Sequence, residues 1–458
     1  MFTRSAVASA LVAGCLSFSA IADTPNHAGT APLYDIAGDI SAKRIEQDIT
    51  SLVNFGTRHT LSETQSDTRG IGAARRWIKQ EFEAISKNCG GCLEVMFVGD
   101  TISGEERIPD ATEVISVIAI QRGSTDPDRY VLMSGDIDSR VSDVMDATSD
   151  APGANDNASG VAGTLEAARV LSQYQFNGSI VYAALAGEEQ GLFGGKILAA
   201  KAQKEGWRLK AVLNNDMIGN IEGINGVINN TTARLFAEGT RVTETDSEAR
   251  TRRFTGGEVD SPSRNLARYI DKLADQYIEN LDTMVVYRLD RFGRGGHHRP
   301  FNDLGYPGIR IMETNENYHR QHQDLRTEEG IQYGDTLEGV NFDYAAKLTA
   351  LNAVSLASMA WAPAPPAGVR IEGAVEPSTT LRWNAADDKQ NPQLAGYKIY
   401  WRYTDAPQWQ FSKFVGKVSQ ATLENVVIDN YFFGVASVSK DGYESPVVFP
   451  GAAGSFGE

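Results

Sequence analysis

The sequence predicts an α/β protein, a mostly parallel mixed sheet flanked by helices on both faces, followed by a small all-β sandwich. Three observations carry this. From about residue 40 to 361, strand-length apolar runs alternate with runs whose apolar residues recur at helical spacing, the pattern of a sheet built through crossover connections. "APAPPAG" at 362–368 then reads as a semi-rigid, Pro-rich linker. Beyond it the helical pattern stops and short strands follow at regular spacing.

Taken in order, "SAKRIEQDITSLVNFG" (41–56) is a helix with Ser41 as N-cap and Gly56 as its stop. "TRGIGAARRWIKQEFEAIS" (68–86) is a second amphipathic helix. "LEVMFVG", "EVISVIAIQRG" and "RYVLMSG" are strands, and after "PGANDNASG" the run "VAGTLEAARVLSQY" is a helix. Strand "GSIVYAALAGEE", helix "LFGGKILAAKAQKEG" and strand "LKAVLNNDMIG" continue the alternation. Helix "PSRNLARYIDKLADQYIEN" precedes strands "TMVVYRL" and "GIRIMET". The last helix, "VNFDYAAKLTALNAVSLASMAW", carries Asp343 and Lys347 and reads as packed, not membrane-spanning. In the final segment "TTLRWNAA", "AGYKIYWRY", "ATLENVVI" and "YFFGVASVSKDGYES" read as strands.

The chain of 458 residues is 41% hydrophobic and 22% charged, the balance of an ordinary globular protein. Its net charge of −16 and lack of any basic run argue against nucleic acid as a partner. Residues 1–22 read as an export signal: Arg4, an apolar "AVASALVAG", and small residues "AIA" before Asp23. The expected location is periplasmic or extracellular, with lipid attachment at Cys15 of "LVAGC" as the lesser alternative. In an exported chain, Cys89 and Cys92 of "NCGGC" are expected to form a structural disulfide.

The chemistry concentrates at strand ends. "VLMSGDIDSR" (131–140) runs from an apolar strand into Asp136 and Asp138, two apart and so on one side of an extended chain. "GANDNASG" sets Asp156 before a helix, "LAGEEQGLFG" ends a strand in Glu188 and Glu189, and "LNNDMIG" ends another in Asp216. "ENYHRQHQD" follows a strand with His319 and His322. In open α/β sheets such ends converge on one rim. Clustered carboxylates without Lys or Arg repel one another and raise each other's pKa, and a divalent cation resolves this. Carboxylate and imidazole together suit zinc, singly or as a pair.

"GDIDS", "GANDNASG", "AGEEQGLFG", "NNDMIG" and "NYHRQHQD" occur in the order seen in the M28 metallopeptidases, and the chain resembles that family over about residues 40–361. "FGTRHTLS" and "GGHHRPF" also resemble family segments. The resemblance implies Asp156 as a carboxylate bridging two zinc ions, Glu188 as general base, Glu189 on the first ion and Asp216 on the second. Either His319 or His322 completes the first site, with His322 preferred and Asp324 as orienter of its ring. Tyr318 is a candidate donor to the developing oxyanion. Two positions depart from the pattern. Asp136 stands where the family has the second ion's His, with Asp138 as its support, and His297 stands where relatives often have Asp. The first departure leaves open two ions, the favoured count, or one. His298 is an outer-shell or surface candidate and His59 a structural one.

The implied function is an exported zinc exopeptidase acting on peptides, foremost an aminopeptidase using metal-activated water and Glu188. Alternatives are a carboxypeptidase, for which Arg291, Arg294 or Arg299 would hold the substrate carboxylate, a one-metal glutaminyl-cyclase-like enzyme, or a lapsed scaffold acting as a binding protein. An acidic rim is expected to draw a free substrate amine. The implied domains are 23–361, catalytic, and 369–458, whose Trp383, Tyr397 and Tyr400 resemble a fibronectin type III module of unknown partner.

Overall fold

The computed structural model describes residues 30–386 and 391–457, so the export-signal reading and Cys15 lie outside the described residues. Helices α1 (Pro32–Asp39), α2 (Ala42–Val53) and α3 (Gly70–Asn88) precede strands β1 (Leu93–Ile102), β2 (Thr112–Gln121) and β3 (Asp126–Asp136). Then α4 (Gly160–Leu171), β4 (Gly178–Leu185), α5 (Phe193–Lys204) and β5 (Arg208–Asn215) alternate. β6 (Thr232–Phe236), α6 (Asp246–Thr255), α7 (Pro262–Tyr277), β7 (Asp282–Val286), α8 (Arg299–Asp303) and β8 (Gly308–Glu313) follow. A small hairpin, β9 (Arg326–Glu328) and β10 (Ile331–Tyr333), leads into α9 (Phe342–Trp361).

Eight strands form one sheet in the order β1-β2-β4-β3-β5-β8-β6-β7. Its centre, β4-β3-β5-β8, is parallel, while β1, β2 and the β6–β8 pairing are antiparallel. Helices cover both faces because central strands alternate their side chains between two cores. Ile180, Tyr182 and Ala184 of β4 pack with Ile49 of α2, Leu165 of α4 and Leu351 of α9. Val181, Ala183 and Leu185 face the other way, onto Leu198 of α5 and Phe301 of α8. Ser41 caps α2, accepting from the Arg44 amide at 3.3 Å. Cys89 and Cys92 are joined as a disulfide just after α3. Among the described residues no helix is long and apolar enough to cross a membrane.

In this part of the chain α1, β6, α6, α8 and the β9–β10 hairpin are absent from the pattern reading. α6 buries none of its residues, so it has no apolar stripe to betray it. The hairpin strands are three residues each, too short for periodicity to register.

After α9, β11 (Arg370–Glu372), β12 (Thr379–Arg382) and β15 (Gln420–Leu423) form one antiparallel sheet. β13 (Leu394–Tyr403), β14 (Phe411–Gly416) and β16 (Tyr431–Ser439) form another. Leu381, Trp383, Tyr397, Ile399, Phe433 and Val435 fill the core between them. This unit docks on α7. Buried Asp260 accepts from Arg268 at 2.9 Å and takes both its oxygens to Arg402 of β13, also at 2.9 Å. Lys272 of α7 pairs with Glu444 at 2.7 Å.

Candidate functional site

The four parallel strands end level with one another: Asp136 of β3 lies beside Leu185 of β4, Ser134 beside Asn214 of β5, and Asn215 beside Ile311 of β8. Residues just past these ends therefore share one rim. Glu188 and Glu189 follow β4, Asp216 follows β5, and the loop after β8 brings Tyr318, Gln321 and His322. Asp156 arrives from the turn before α4. Gly135 and Gly160 permit that approach, since a Cβ on Gly135 would lie 2.2 Å from the Gly160 carbonyl carbon and one on Gly160 the same distance from Asn215 O.

Among the described residues, Asp156, Glu189 and His322 form the one Asp/Glu/His group whose ligand atoms all lie within 4.8 Å of one another. His322 Nε2 lies 2.9 Å from Asp156 Oδ2 and 2.8 Å from Glu189 Oε1. His319 is elsewhere, edge-on to Tyr333 at 5.0 Å, so His322 is the histidine brought to the group. Its ring is oriented by Arg140, whose Nη2 is 2.7 Å from His322 Nδ1 and whose Nε donates to Glu189 Oε2 at 2.8 Å. A guanidinium only donates, so Nδ1 accepts and Nε2 faces the two carboxylates. Asp324, expected in that orienting role, instead accepts from the amide and hydroxyl of Ser142 at 3.3 and 2.8 Å.

The rest of the cluster is held differently from expectation. Asp138 does not support Asp136: it accepts the amides of Glu188 and Glu189 at 3.2 and 2.9 Å and the Thr60 hydroxyl at 3.1 Å. It thereby aims the Glu pair. Asp335, unremarked in the sequence, accepts the amides of Asn155 and Asp156 at 2.9 and 2.7 Å and fixes the Asp156 turn. Asp136 is bonded by His297 Nδ1 at 2.5 Å and by Asn157 Nδ2 at 2.8 Å. Asp216 Oδ2 lies 2.7 Å from Arg310 Nη2, and Arg310 Nε donates to the Asp216 carbonyl at 2.5 Å. Asp136 is thus hydrogen-bonded by protein donors, and Asp216 is ion-paired with a buried guanidinium.

Arg310 is fully buried. Burial would discharge it, but Asp216, Asp290, Glu188 and Asp136 outweigh that and hold the guanidinium charged, above its ordinary range. The expectation of a cluster without Lys or Arg is corrected here, because β8 and the loop after β3 each deliver an Arg. Half-buried Glu188 faces the cavity, its carboxyl pushed well above the usual range by burial and then by Asp216, Glu189 and Asp136. Burial pushes His297 down to about 4, so its ring is neutral near pH 7.

The remaining candidates fall into place. Buried His59 contacts Val144 O at 2.9 Å and accepts the Leu61 amide at 3.1 Å, a structural role. His298 contacts Leu289 O at 2.9 Å, buried and away from the group. Tyr318 is 53% exposed and lines the cavity, free to reach a bound molecule. That cavity, about 720 Å³, also contains Asp156, Glu188, Glu189, Asp216 and His322 in its walls.

The model of peptidase family M28 matches residues 116–336. A probable zinc metalloprotease of Leptosphaeria maculans is 43% identical over 413 residues, covering 90% of this chain and 95% of that protein. A probable zinc metalloprotease of Pyricularia oryzae is 39% identical over 424 residues, covering 92% and 84%. Among solved structures, the Legionella pneumophila LapA aminopeptidase aligns with a TM-score of 0.54 at 20% identity, covering 74% of this chain and 77% of that one. Legionella pneumophila LapB aligns at 0.53 and 20% identity, covering 72% and 75%. These two likenesses establish the shared fold. With a relative 43% identical along nine-tenths of its length, the chain belongs to peptidase family M28.

Proposed function

We propose that this protein is an exported, zinc-dependent exopeptidase that removes N-terminal residues from peptides. The observation that carries the reading is the Asp156–Glu189–His322 group in a cavity that Glu188 also lines. Two carboxylates and one imidazole are a zinc donor set that leaves a position open for water or substrate. Relatives named as probable zinc metalloproteases support the choice of ion. When bound, zinc supplies Lewis acidity and a water of lowered pKa.

The chain's own residues do the rest. Asp156, Glu189 and His322 would hold the ion, with Arg140 orienting two of them. Asp138 keeps the Glu188–Glu189 turn in register through both amides. Glu188, which donates no ligand to the group, is the carboxylate available to take a proton and return it to the leaving amine. Tyr318 is available to donate to an oxygen of the substrate.

We infer a single ion per chain. The charge that a second ion would balance on Asp216 is supplied by Arg310 at 2.7 Å, and Asp136 is already engaged by His297 and Asn157.

The test is to incubate zinc-loaded protein with unblocked tripeptides and identify products by mass spectrometry. Release of the N-terminal residue, abolished in Glu188→Gln and in a chelated sample, is the expected result. Release from the carboxyl end instead would replace the aminopeptidase reading with a carboxypeptidase one. No release from any peptide would remove the enzymatic reading.

A further inference from the structure

Although the chain as a whole carries a net charge of −16, the cavity wall sets cations beside the carboxylates of Asp156, Glu188, Glu189, Asp216 and Asp303. Six cations border it: Arg107, Arg140, Lys196, Arg291, Arg294 and Arg299. Three are engaged by carboxylates. Arg140 binds Glu189 at 2.8 Å, and Arg291 and Arg294 bind Glu316 at 3.2 and 3.0 Å. Those bonds satisfy the charges and fix the side chains as wall.

Of the other three, two have no carboxylate partner among the described residues and the third has only a distant, exposed one. Arg107 donates to the Glu189 carbonyl at 2.7 Å, and no carboxylate among the described residues lies within salt-bridge distance of it. Lys196 lies over the Phe193 ring, 4.5 Å from its centroid, likewise without a carboxylate. Arg299 has only Asp303, at 4.0 Å, with both side chains about half exposed. An exposed pair at that separation contributes little and yields readily to a competing anion.

All three line the cavity next to the Glu188–Glu189 turn or on a helix packed against the one that follows it. Arg107 is tethered to the backbone of Glu189 itself. Lys196 sits in the first turn of α5, just after the Glu188–Glu189 turn. Arg299 begins α8, which packs on α5 in the core that holds Leu198 and Phe301, and a Cβ on Gly195 of α5 would lie 3.2 Å from Pro300 of α8. In a concave site, unpaired charges of one sign focus their field on whatever enters.

We propose that Arg107, Lys196 and Arg299 form an anion subsite that takes a carboxylate of the substrate. The proposal rests on the peptidase reading above and narrows it to short or acidic peptides. The carboxylate comes from the free C-terminus of a short peptide or from an acidic side chain near the scissile bond.

The test compares kcat/KM for four peptides: Ala-Ala-Ala, its C-terminal amide, and the amides of Ala-Glu-Ala and Ala-Gln-Ala. At low salt, either the acid-to-amide ratio or the Glu-to-Gln ratio should reach about tenfold, the scale of one charge-assisted hydrogen bond. The first ratio identifies a C-terminal carboxylate, the second a side chain. The elevated ratio should fall towards one in R107Q/K196Q/R299Q and shrink with added salt. Ratios near one in the unaltered protein, or a preference that survives the triple substitution, overturn the proposal. If no peptide is cleaved, the same four are titrated calorimetrically onto Glu188→Gln. Preferential binding of the anionic peptide, lost when the three substitutions are added, upholds the subsite although the peptidase reading has failed. Equal binding of all four overturns it.

Discussion

His297 Nδ1 lies 2.5 Å from Asp136 Oδ1, with both side chains buried. These are the two positions at which the sequence, by its resemblance to M28 motifs, reads as departing from the family pattern. They meet each other. The two departures thus set one acid and one imidazole against each other.

A double-mutant cycle tests that coupling. Asp136→His sets two imidazoles together without an acid, and His297→Asp sets two carboxylates together. Each single change should destabilise the fold by about 2–3 kcal/mol, the cost of leaving buried polar groups mismatched. The double variant should recover most of that loss, for a coupling of about 1–3 kcal/mol in urea denaturation. Additive losses would show that the contact is incidental.

Arg310 and Asp216 make a second, quantitative case. Saturated with zinc and then dialysed, the protein should retain one ion per chain by elemental mass spectrometry, because the Arg310 guanidinium stands 2.7 Å from Asp216. Arg310→Met removes the cation in ion-pair contact with that carboxylate and should either raise the count towards two or cost about 3–5 kcal/mol of stability. Two tightly held ions in the unaltered protein would end the single-ion reading.

Arg58 ties the loops that carry the acids. It donates to the carbonyls of Ile137, Pro152 and Gly153 at 2.8, 2.6 and 2.8 Å, and to Leu52 O at 3.2 Å, from a fully buried position. Arg58→Met keeps most of the volume but orphans these acceptors, at about 1–3 kcal/mol for each that water does not reach. A loss of at least about 3 kcal/mol in urea denaturation is expected, with zinc affinity reduced about 10–100-fold by a competing chromophoric chelator.

Glu444 should make the docking of the β-sandwich acid-labile. Burial alone would raise its carboxyl, but Lys272 and Lys398, with hydrogen bonds from Lys272 and Tyr400, reverse this and hold it at about 2, against 4.5 in an unstructured chain. A folded-state pKa below the unfolded one contributes stability that is fully present above about pH 4.5 and is lost as pH falls towards 2. The loss is on the order of 3 kcal/mol. It should appear as rising hydrogen exchange in α7 and β13 over that window. Glu444→Gln should flatten this part of the profile.

What the residues determine by themselves is the rim and its main actors. Strand length, period and the sharp change from apolar to polar at the strand ends place Glu188, Glu189, Asp156, Asp216 and the pair His319 and His322 at the edge of one sheet, with no knowledge of strand order. Helices with a buried face, such as α2 and α7, are legible for the same reason. Only the tertiary structure decides how the charges are balanced. Arg310 reads as an interruption in the strand "GIRIMET"; it becomes the partner of Asp216 because β8 pairs with β5, 94 residues away in sequence. Arg140 reaches His322 across 182 residues and Asp335 reaches Asp156 across 179. Periodicity reports which face a residue takes within its own element. The partner across the sheet is set by strand order and loop course, which no local pattern encodes.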